Sequence, residues 1–214
     1  MKLEFYNTEL LLKETFSIAY GNYDKRDALL VKLSHNGNEG YGECVAINYY
    51  NINLEEFILK LSEIQGKIEN HKIVHPKEFF KFLSGLEIHP FLLSALDCAY
   101  WDLYGKLENK SFAELNAIET KNLVESSITI SIADVEEQIN KIEKSSWNKF
   151  KVKCKGLDKE SVEKLAGLNR NIALDCNASF SSEDCKWLQE QEIVKNFMYI
   201  EQPMEIGHFQ SLRK

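Results

Sequence analysis

Three short apolar segments in the C-terminal half of the chain each end in charged or amide side chains. They are residues 150–154, 172–177 and 198–203, and a helix-like segment separates each from the next. Strands that alternate with helices at this spacing are typical of βα units, which build a parallel sheet. The carboxyl ends of parallel strands are where (β/α) barrels carry their active sites. The sequence therefore predicts a (β/α) sheet with functional groups at the strand ends.

The N-terminal half has a different order of elements. Strand-like segments are 2–12, 28–35 and 39–46, and helix-like segments are 54–69, 76–84 and 91–107. Asn36-Gly37 predicts a tight turn that joins the second and third strands into a hairpin. Residues 16–26 are polar and rich in tyrosine, and we predict a loop there. Strands followed by helices indicate an α+β domain.

The fold class predicted for the whole chain is α/β plus α+β. An N-terminal α+β domain, residues 1–120, precedes the first four strands of a (β/α) TIM-like barrel, residues 121–214, whose first strand is 127–132. A complete barrel takes roughly 250 residues. We therefore expect a truncated barrel, or one that needs a partner to complete its sheet.

Composition excludes several classes of function. The formal net charge of −7 argues against binding to a phosphate backbone, so no nucleic-acid partner is expected. Five cysteines without a CxxC pair favour reduced, mostly buried thiols and a cytoplasmic location. No long apolar run is present, so neither a signal peptide nor a membrane span is expected. A homo-oligomer is left open.

The strand ends carry residues that suit acid–base chemistry with a metal. Alternate residues of a strand face the same side, so Lys151 pairs with Lys153 and Asp175 with Asn177, while Glu201 follows on the next strand. Two carboxylates on adjacent strands suit one Mg²⁺ ion, which prefers oxygen ligands. The cation and partial burial would lower the pKa of a nearby lysine towards that of a general base. This set favours proton abstraction next to a carboxylate, with the metal stabilising the enediolate.

A simpler interpretation exists for each residue alone. Lys149, Lys151, Lys153 and Lys155 share one parity, as on the solvated face of an edge strand. Asp175 and Glu201 could each be a helix cap or a surface charge. The recurrence of polar groups at equivalent positions of successive βα units favours a site over these alternatives.

The ordered set of motifs resembles one family. The segments are 15–21, 40–43, 95–106, 127–132, the KxK of Lys151–Lys153, the DxN of Asp175–Asn177, and Ile-Glu-Gln-Pro at 200–203. Together they resemble the enolase superfamily in its muconate-lactonizing subgroup, and look most like the dipeptide (L-Ala-D/L-Glu) epimerases. Residues 1–120 would then be the family's capping domain. In this family a lysine base beside Mg²⁺ is the known pattern.

The resemblance implies an isomerase that moves a proton at the carbon next to a carboxylate, on a dipeptide such as L-Ala-L-Glu or another small carboxylate. Lys153 would be the base and Lys151 would contact the substrate carboxylate. Thr129 and Asn177 would also bind substrate. Asp175 and Glu201 would be ligands of a single Mg²⁺. Loops at 20–26 and 48–51 would close over the substrate and set specificity.

The chain also departs from the family pattern. Members place a third acidic ligand and an opposing lysine on later strands, so the 214-residue chain alone is expected to be inactive. Lys155 stands where members have glycine, which leaves a Lys153/Lys155 register open. The alternatives are an o-succinylbenzoate synthase, a muconate cycloisomerase-like enzyme, or a non-catalytic truncated remnant.

Overall fold

The computed structural model describes residues 1–19, 21–47, 50–119, 124–205 and 207. The chain divides into two compact units. The first comprises Met1–Leu12 and Lys25–Leu123, and the second comprises Lys13–Asp24 and Val124–Lys214. Residues 13–24 therefore group with the second unit, which the sequence analysis did not anticipate. The predicted boundary at residue 120 lies outside the described residues, so the division into 1–120 and 121–214 stays a prediction.

A three-stranded sheet opens the chain. Its strands are β1 (Lys2–Ile18), β2 (Gly21–His35) and β3 (Asn38–Val45), ordered β1-β2-β3. β2 and β3 pair antiparallel, and the last register pair is His35 with Asn38. Asn36 and Gly37 between them have φ angles of 48° and 79°, the left-handed backbone that a two-residue hairpin loop requires. The predicted hairpin is confirmed.

The predicted loop at 16–26 is wrong. β1 continues to Ile18 and β2 begins at Gly21, while Tyr20 lies outside the described residues. Thr15 Oγ1 donates a hydrogen bond to Asp24 Oδ1 at 2.6 Å, which links the two strands through polar side chains. Because most side chains here are at least partly exposed, this ribbon lacks the apolar alternation by which strands are recognised in sequence.

Four helices follow: α1 (Leu54–Glu69), α2 (Pro76–Ser84), α3 (Pro90–Glu108) and α4 (Phe112–Leu115). The predicted helices 54–69, 76–84 and 91–107 are confirmed. Asn53 caps α1 by accepting hydrogen bonds from the backbone of Glu55 and Glu56. The imidazoles of His75 and His89 do the same for α2 and α3, each followed by a proline at the first helical position.

Helix α3 lies directly against the backbone of β3 because two glycines remove the side chains between them. A Cβ atom on Gly40 would lie 2.1 Å from the Ala99 carbonyl oxygen, and one on Gly42 would lie 1.9 Å from the Ala95 carbonyl oxygen. The buried core around this contact includes Leu29, Val31, Leu33, Leu92, Leu96, Tyr100 and Leu103.

We expect Gly42→Ala to lower the free energy of unfolding by about 3 kcal/mol, because the added methyl group forces helix and strand apart. Gly66 is the matched control, since nothing lies within 4 Å of a Cβ atom there. Gly66→Ala should raise the stability by about 0.5–1 kcal/mol through helix propensity. Urea denaturation measures both changes, and equal effects of the two substitutions would refute the close packing.

Asp97 on α3 carries a buried carboxylate oxygen that has no hydrogen-bond partner among the described residues. Burial raises the pKa of this carboxyl group. The charged form is therefore penalised in the folded state, and stability is lost as the pH rises from about 4, the unfolded value, through the raised pKa.

Asp97→Asn should remove this pH dependence. We expect the variant to be more stable than the parent chain at about pH 7 and equal to it at about pH 3, where both side chains are neutral. Thermal unfolding across that range measures the difference. A constant offset between the two curves would show that the carboxyl group is not destabilised by burial.

The second unit alternates strands and helices. Its elements are β4 (Ile128–Ile130), α5 (Val135–Lys144), β5 (Lys149–Lys153), α6 (Lys159–Ala166), β6 (Asn171–Asp175), α7 (Ser182–Glu190), a 3-10 helix (Glu192–Asn196) and β7 (Ile200–Glu201). The strands are parallel and ordered β4-β5-β6-β7. This is the start of a (β/α) barrel, as predicted, with the first strand trimmed to three residues.

One face of this sheet is apolar and packs against the helices. Phe150, Val152, Ile172 and Leu174 are buried there, and Cys154 and Cys176 lie on the same side. A hydrogen bond with Cys154, together with burial, raises the pKa of the Cys176 thiol, so this thiol stays protonated. Across the described part of the chain, no helix combines the length and apolarity needed to cross a membrane.

Candidate active site

The opposite face of the parallel sheet carries the predicted site residues. Register pairs place Thr129 beside Lys151, Lys153 beside Asp175, and Asp175 beside Glu201. Because side chains in register on parallel strands point to the same face, one row of polar groups crosses the ends of β5, β6 and β7.

Two lysine–carboxylate pairs form within this row. Lys153 Nζ lies 2.7 Å from Asp175 Oδ2 and donates a second hydrogen bond to Asn177 Oδ1 at 3.1 Å. Lys151 Nζ lies 2.6 Å from Glu201 Oε2 and 3.8 Å from Asp175 Oδ2. The structure therefore brings five of the six predicted residues together. Thr129 has an exposed side chain and remains beside the cluster.

Burial differs between the two pairs. The Asp175 side chain is 2% exposed and that of Lys153 is 14% exposed, whereas Lys151 and Glu201 are 27% and 42% exposed. The Lys153–Asp175 contact is therefore the inner pair, where charges interact more strongly than at the solvated surface. The Lys151–Glu201 contact is the outer pair.

The hydrogen bond from Lys151 to Glu201 raises the pKa of this lysine. The charges of Glu201 and, more weakly, of Tyr199 and Asp175 act in the same direction, and together with the hydrogen bond they outweigh burial. The lowered lysine pKa expected from the sequence depends on a cation close to the lysine, so it stays a prediction.

Asp175 fits a hard cation in one respect. Its Oδ1 atom is buried and has no hydrogen-bond partner among the described residues, while Oδ2 pairs with Lys153. Burying a carboxylate oxygen without a binding partner costs free energy. A divalent cation that prefers oxygen ligands, such as Mg²⁺, would bind this oxygen and offset the cost. Within the described ranges no three His, Cys, Asp or Glu side chains converge on one point. A role of Asp175 and Glu201 as metal ligands therefore stays a prediction.

The backbone beyond β6 and β7 is strained. Asn177, Ala178 and Gln202 have φ angles of 44°, 61° and 42°, a region that residues other than glycine seldom adopt. Hydrogen bonds hold the two turns together, from Cys176 N to Glu201 O at 3.0 Å and from Ala178 N to Gln202 O at 2.7 Å. Such strain is common at functional sites, where surrounding contacts maintain it.

Two residues with structural roles at the site were missed in the sequence. Gln138 on α5 and Ser179 after β6 both hydrogen-bond to the backbone where the strands end. Gln138 occupies the buried face of an amphipathic helix, one turn before Ile142. A polar residue at such a position is a signal that could have indicated it.

Curated relatives match nearly the whole chain, although no known protein-family profile matches it. An L-Ala-D/L-amino acid epimerase from Maribacter sp. is 29% identical over 222 residues, covering 100% of this chain and 64% of the relative. One from Flavobacterium johnsoniae is 30% identical over 224 residues, covering 98% and 63%. An o-succinylbenzoate synthase from Enterococcus faecalis is 26% identical over 219 residues, covering 97% and 59%. The chain spans less than two thirds of the length of these relatives.

The fold is also that of solved enzymes. A dipeptide epimerase from Methylococcus capsulatus, complexed with Mg and the dipeptide L-Arg-D-Lys, superposes with a TM-score of 0.86 at 21% identity, covering 99% of this chain and 63% of that one. The chain combines an α+β unit with the first strands of a (β/α) barrel, and these strands carry lysines and carboxylates at their ends. This is the enolase type of architecture. In fold the chain is similar to solved members of the enolase superfamily, such as one from Listeria innocua with a TM-score of 0.77 at 24% identity, covering 95% of this chain and 58% of that one.

Removing one partner of the inner pair should be costly. We expect Lys153→Met to lower the free energy of unfolding by about 3 kcal/mol, because Asp175 keeps a buried charge without its nearest partner. The double variant Lys153→Met/Asp175→Asn should recover part of this loss. Urea denaturation at neutral pH gives both values.

Lys164 is the matched lysine control. It pairs with Glu136 at 2.7 Å and Glu160 at 2.9 Å, and its side chain is 39% exposed. Lys164→Met should leave the stability nearly unchanged, as is usual for surface ion pairs. Equal losses from Lys153→Met and Lys164→Met would contradict a buried inner pair.

Proposed function

We propose that this chain supplies the capping domain and part of the active site of a Mg²⁺-dependent dipeptide epimerase. The observation that carries the proposal is the row of lysines and carboxylates at the ends of β5, β6 and β7. The names of the Maribacter and Flavobacterium relatives support the same reaction class. The reaction would be a 1,1-proton transfer at the carbon next to a carboxylate, on dipeptides such as L-Ala-L-Glu.

In this proposal Lys153 moves the proton. Its ammonium lies against Asp175 and Asn177, so the amine is held at a fixed position from which it can face a substrate carbon. Lys151, one step back on the same strand face, binds the substrate carboxylate. Thr129 and Asn177 bind the substrate from the neighbouring strand ends.

Asp175 and Glu201 would hold a single Mg²⁺ ion. When bound, the ion would supply positive charge that stabilises the negative charge developing on the substrate carboxylate. The Oδ1 atom of Asp175, which has no hydrogen-bond partner in the described part of the chain, supports this assignment. The carboxylates that would bind the cation, Asp175 and Glu201, are also the ion-pair partners of Lys153 and Lys151. Cation binding would therefore compete with the two ion pairs.

Substrate choice is proposed to depend on residues outside the parallel sheet. Residues 13–24 group with the second unit, where Ile132 N donates to Ser17 O at 3.0 Å and Lys141 pairs with Glu14 at 3.1 Å. This places the ribbon next to the end of β4, which supports a role in specificity. Of the second predicted segment, 48–51, positions 48 and 49 lie outside the described residues.

The remaining assignments follow from the same reading. We propose 1–120 as the capping domain and 121–214 as the partial barrel. Five free cysteines support a cytoplasmic protein, and the net charge of −7 supports a small-molecule substrate over nucleic acid. An o-succinylbenzoate synthase is the alternative, with an Enterococcus faecalis relative at 26% identity.

The test is an epimerase assay on the 214-residue chain and on this chain extended by the C-terminal third of the Maribacter relative. With Mg²⁺ and L-Ala-L-Glu, the extended protein should epimerise the dipeptide, and the shorter chain should not. Lys153→Ala in the extended protein should reduce kcat by at least about a thousandfold, since general base catalysis and positioning are both lost.

Lys186→Ala is the control, because this lysine lies on α7, outside the proposed site. It should leave the rate unchanged. Epimerisation by the extended protein that survives Lys153→Ala would refute the assigned base. In a parallel assay with a hydroxylated, succinyl-bearing cyclohexadiene carboxylate, loss of water to give o-succinylbenzoate, without epimerisation of the dipeptide, would favour the alternative reaction.

A further inference from the structure

Gln138 is a polar residue buried in the layer between sheet and helices. It lies on α5, where its side chain is 5% exposed and shares the buried face of the helix with Ile142. Its Nε2 atom donates hydrogen bonds to two carbonyl oxygens, that of Ser131 at 2.9 Å and that of Lys153 at 3.3 Å. Both hydrogens of this buried amide group are donated to backbone carbonyl oxygens, so the side chain holds the two backbone segments at a fixed separation.

The two carbonyl groups lie where the β4–β5 ladder stops. The last register pair between these strands is Ile130 with Val152, so Ser131 and Lys153 are the next residues on each strand. On its other side Lys153 is still in register with Asp175, and Cys154 N donates to Asp175 O at 3.0 Å. The side chain of Gln138 thus replaces the missing ladder contact on the β4 side of Lys153.

A second side chain does the same one strand further along. Ser179 Oγ accepts a hydrogen bond from Gly156 N at 2.9 Å and donates one to Cys176 O at 2.6 Å. It connects the turn after β5 to the end of β6. Gln138 and Ser179 together link the ends of three consecutive strands at the level of Lys153 and Asp175.

We propose that Gln138 is a positioning residue for Lys153, which rests on the proposed function in so far as Lys153 is the base. The amide fixes the Lys153 carbonyl, and through it the direction in which the side chain leaves β5. Small displacements of a reacting group cost rate steeply, so such a residue acts on catalysis without touching the substrate.

The direct test observes the Lys153 ammonium group in the 214-residue chain. In nitrogen-15-labelled protein, the side-chain ammonium resonance of a lysine held in a fixed ion pair exchanges its protons slowly with water. Gln138→Met should accelerate this exchange at Lys153 by about threefold to tenfold, the factor that corresponds to the loss of one hydrogen bond. A cavity of about 150 Å³ lined by Gln138, Lys153 and Val162 gives the methionine room.

Gln191→Met is the matched control. Gln191 Nε2 donates to Trp187 O at 3.3 Å at the end of α7, so this variant also removes a glutamine–carbonyl bond. Gln191→Met should leave the Lys153 resonance unchanged. The Lys164 resonance should stay unchanged in both variants. If Gln138→Met does not fold, Gln138→Asn keeps the amide but shortens it by one methylene, and the same acceleration is expected. Unchanged exchange at Lys153 in a folded Gln138 variant would overturn the proposal.

The outcome separates this inference from the proposed function. In the extended protein used for the epimerase assay, Gln138→Met should lower kcat by about tenfold to a hundredfold and leave KM for the dipeptide nearly unchanged. If the extended parent protein shows no epimerase activity but Gln138→Met accelerates exchange at Lys153, the proposed function is refuted and the positioning role is supported. If the extended Gln138→Met protein keeps full activity and exchange at Lys153 is unchanged, the function is supported and the positioning role is refuted.

Discussion

The register between β5 and β6 is the constraint on which the rest of the site depends. It sets Lys153 directly beside Asp175, and the pairing of β6 with β7 then adds Glu201 to the same row. A shift of one residue in either ladder would turn these side chains towards the helices and bring Cys154 or Cys176 to the open face. The apolar face opposes such a shift, because Phe150, Val152, Ile172 and Leu174 would lose their burial. The core thus fixes the position of the charged groups.

Much of this arrangement could be predicted from the sequence because its causes are local. Alternation along a strand puts Lys151 and Lys153 on one face, and Asn36-Gly37 sets the first hairpin through its backbone preference. The prolines at 76 and 90 mark the starts of α2 and α3. The ribbon formed by 13–24 could not be predicted, because its polar side chains carry no apolar period. It is held by backbone pairing and by polar contacts such as Thr15–Asp24, which leave no apolar pattern in the sequence.

The parts of the site that were missed depend on contacts between separate elements of the fold. Gln138 lies on α5, a helix that carries no predicted site residue, yet its amide reaches the backbone of two strands. The raised pKa of Lys151 follows from its contact with Glu201, 50 residues further along the chain. Spacing alone identified which residues meet. It did not indicate which lysine forms an ion pair with which carboxylate, and this pairing determines the pKa shift at Lys151.

We propose, as the central claim, that Asp175 and Glu201 bind one cation beside Lys151 and Lys153. Titration of the chain with Mn²⁺, followed by the lysine ammonium resonances, tests it most directly. A bound Mn²⁺ ion should broaden the signals of Lys151 and Lys153 at low occupancy and spare Lys164, and Asp175→Asn should abolish the effect. Broadening spread evenly over the lysines, or unaffected by Asp175→Asn, would contradict the claim.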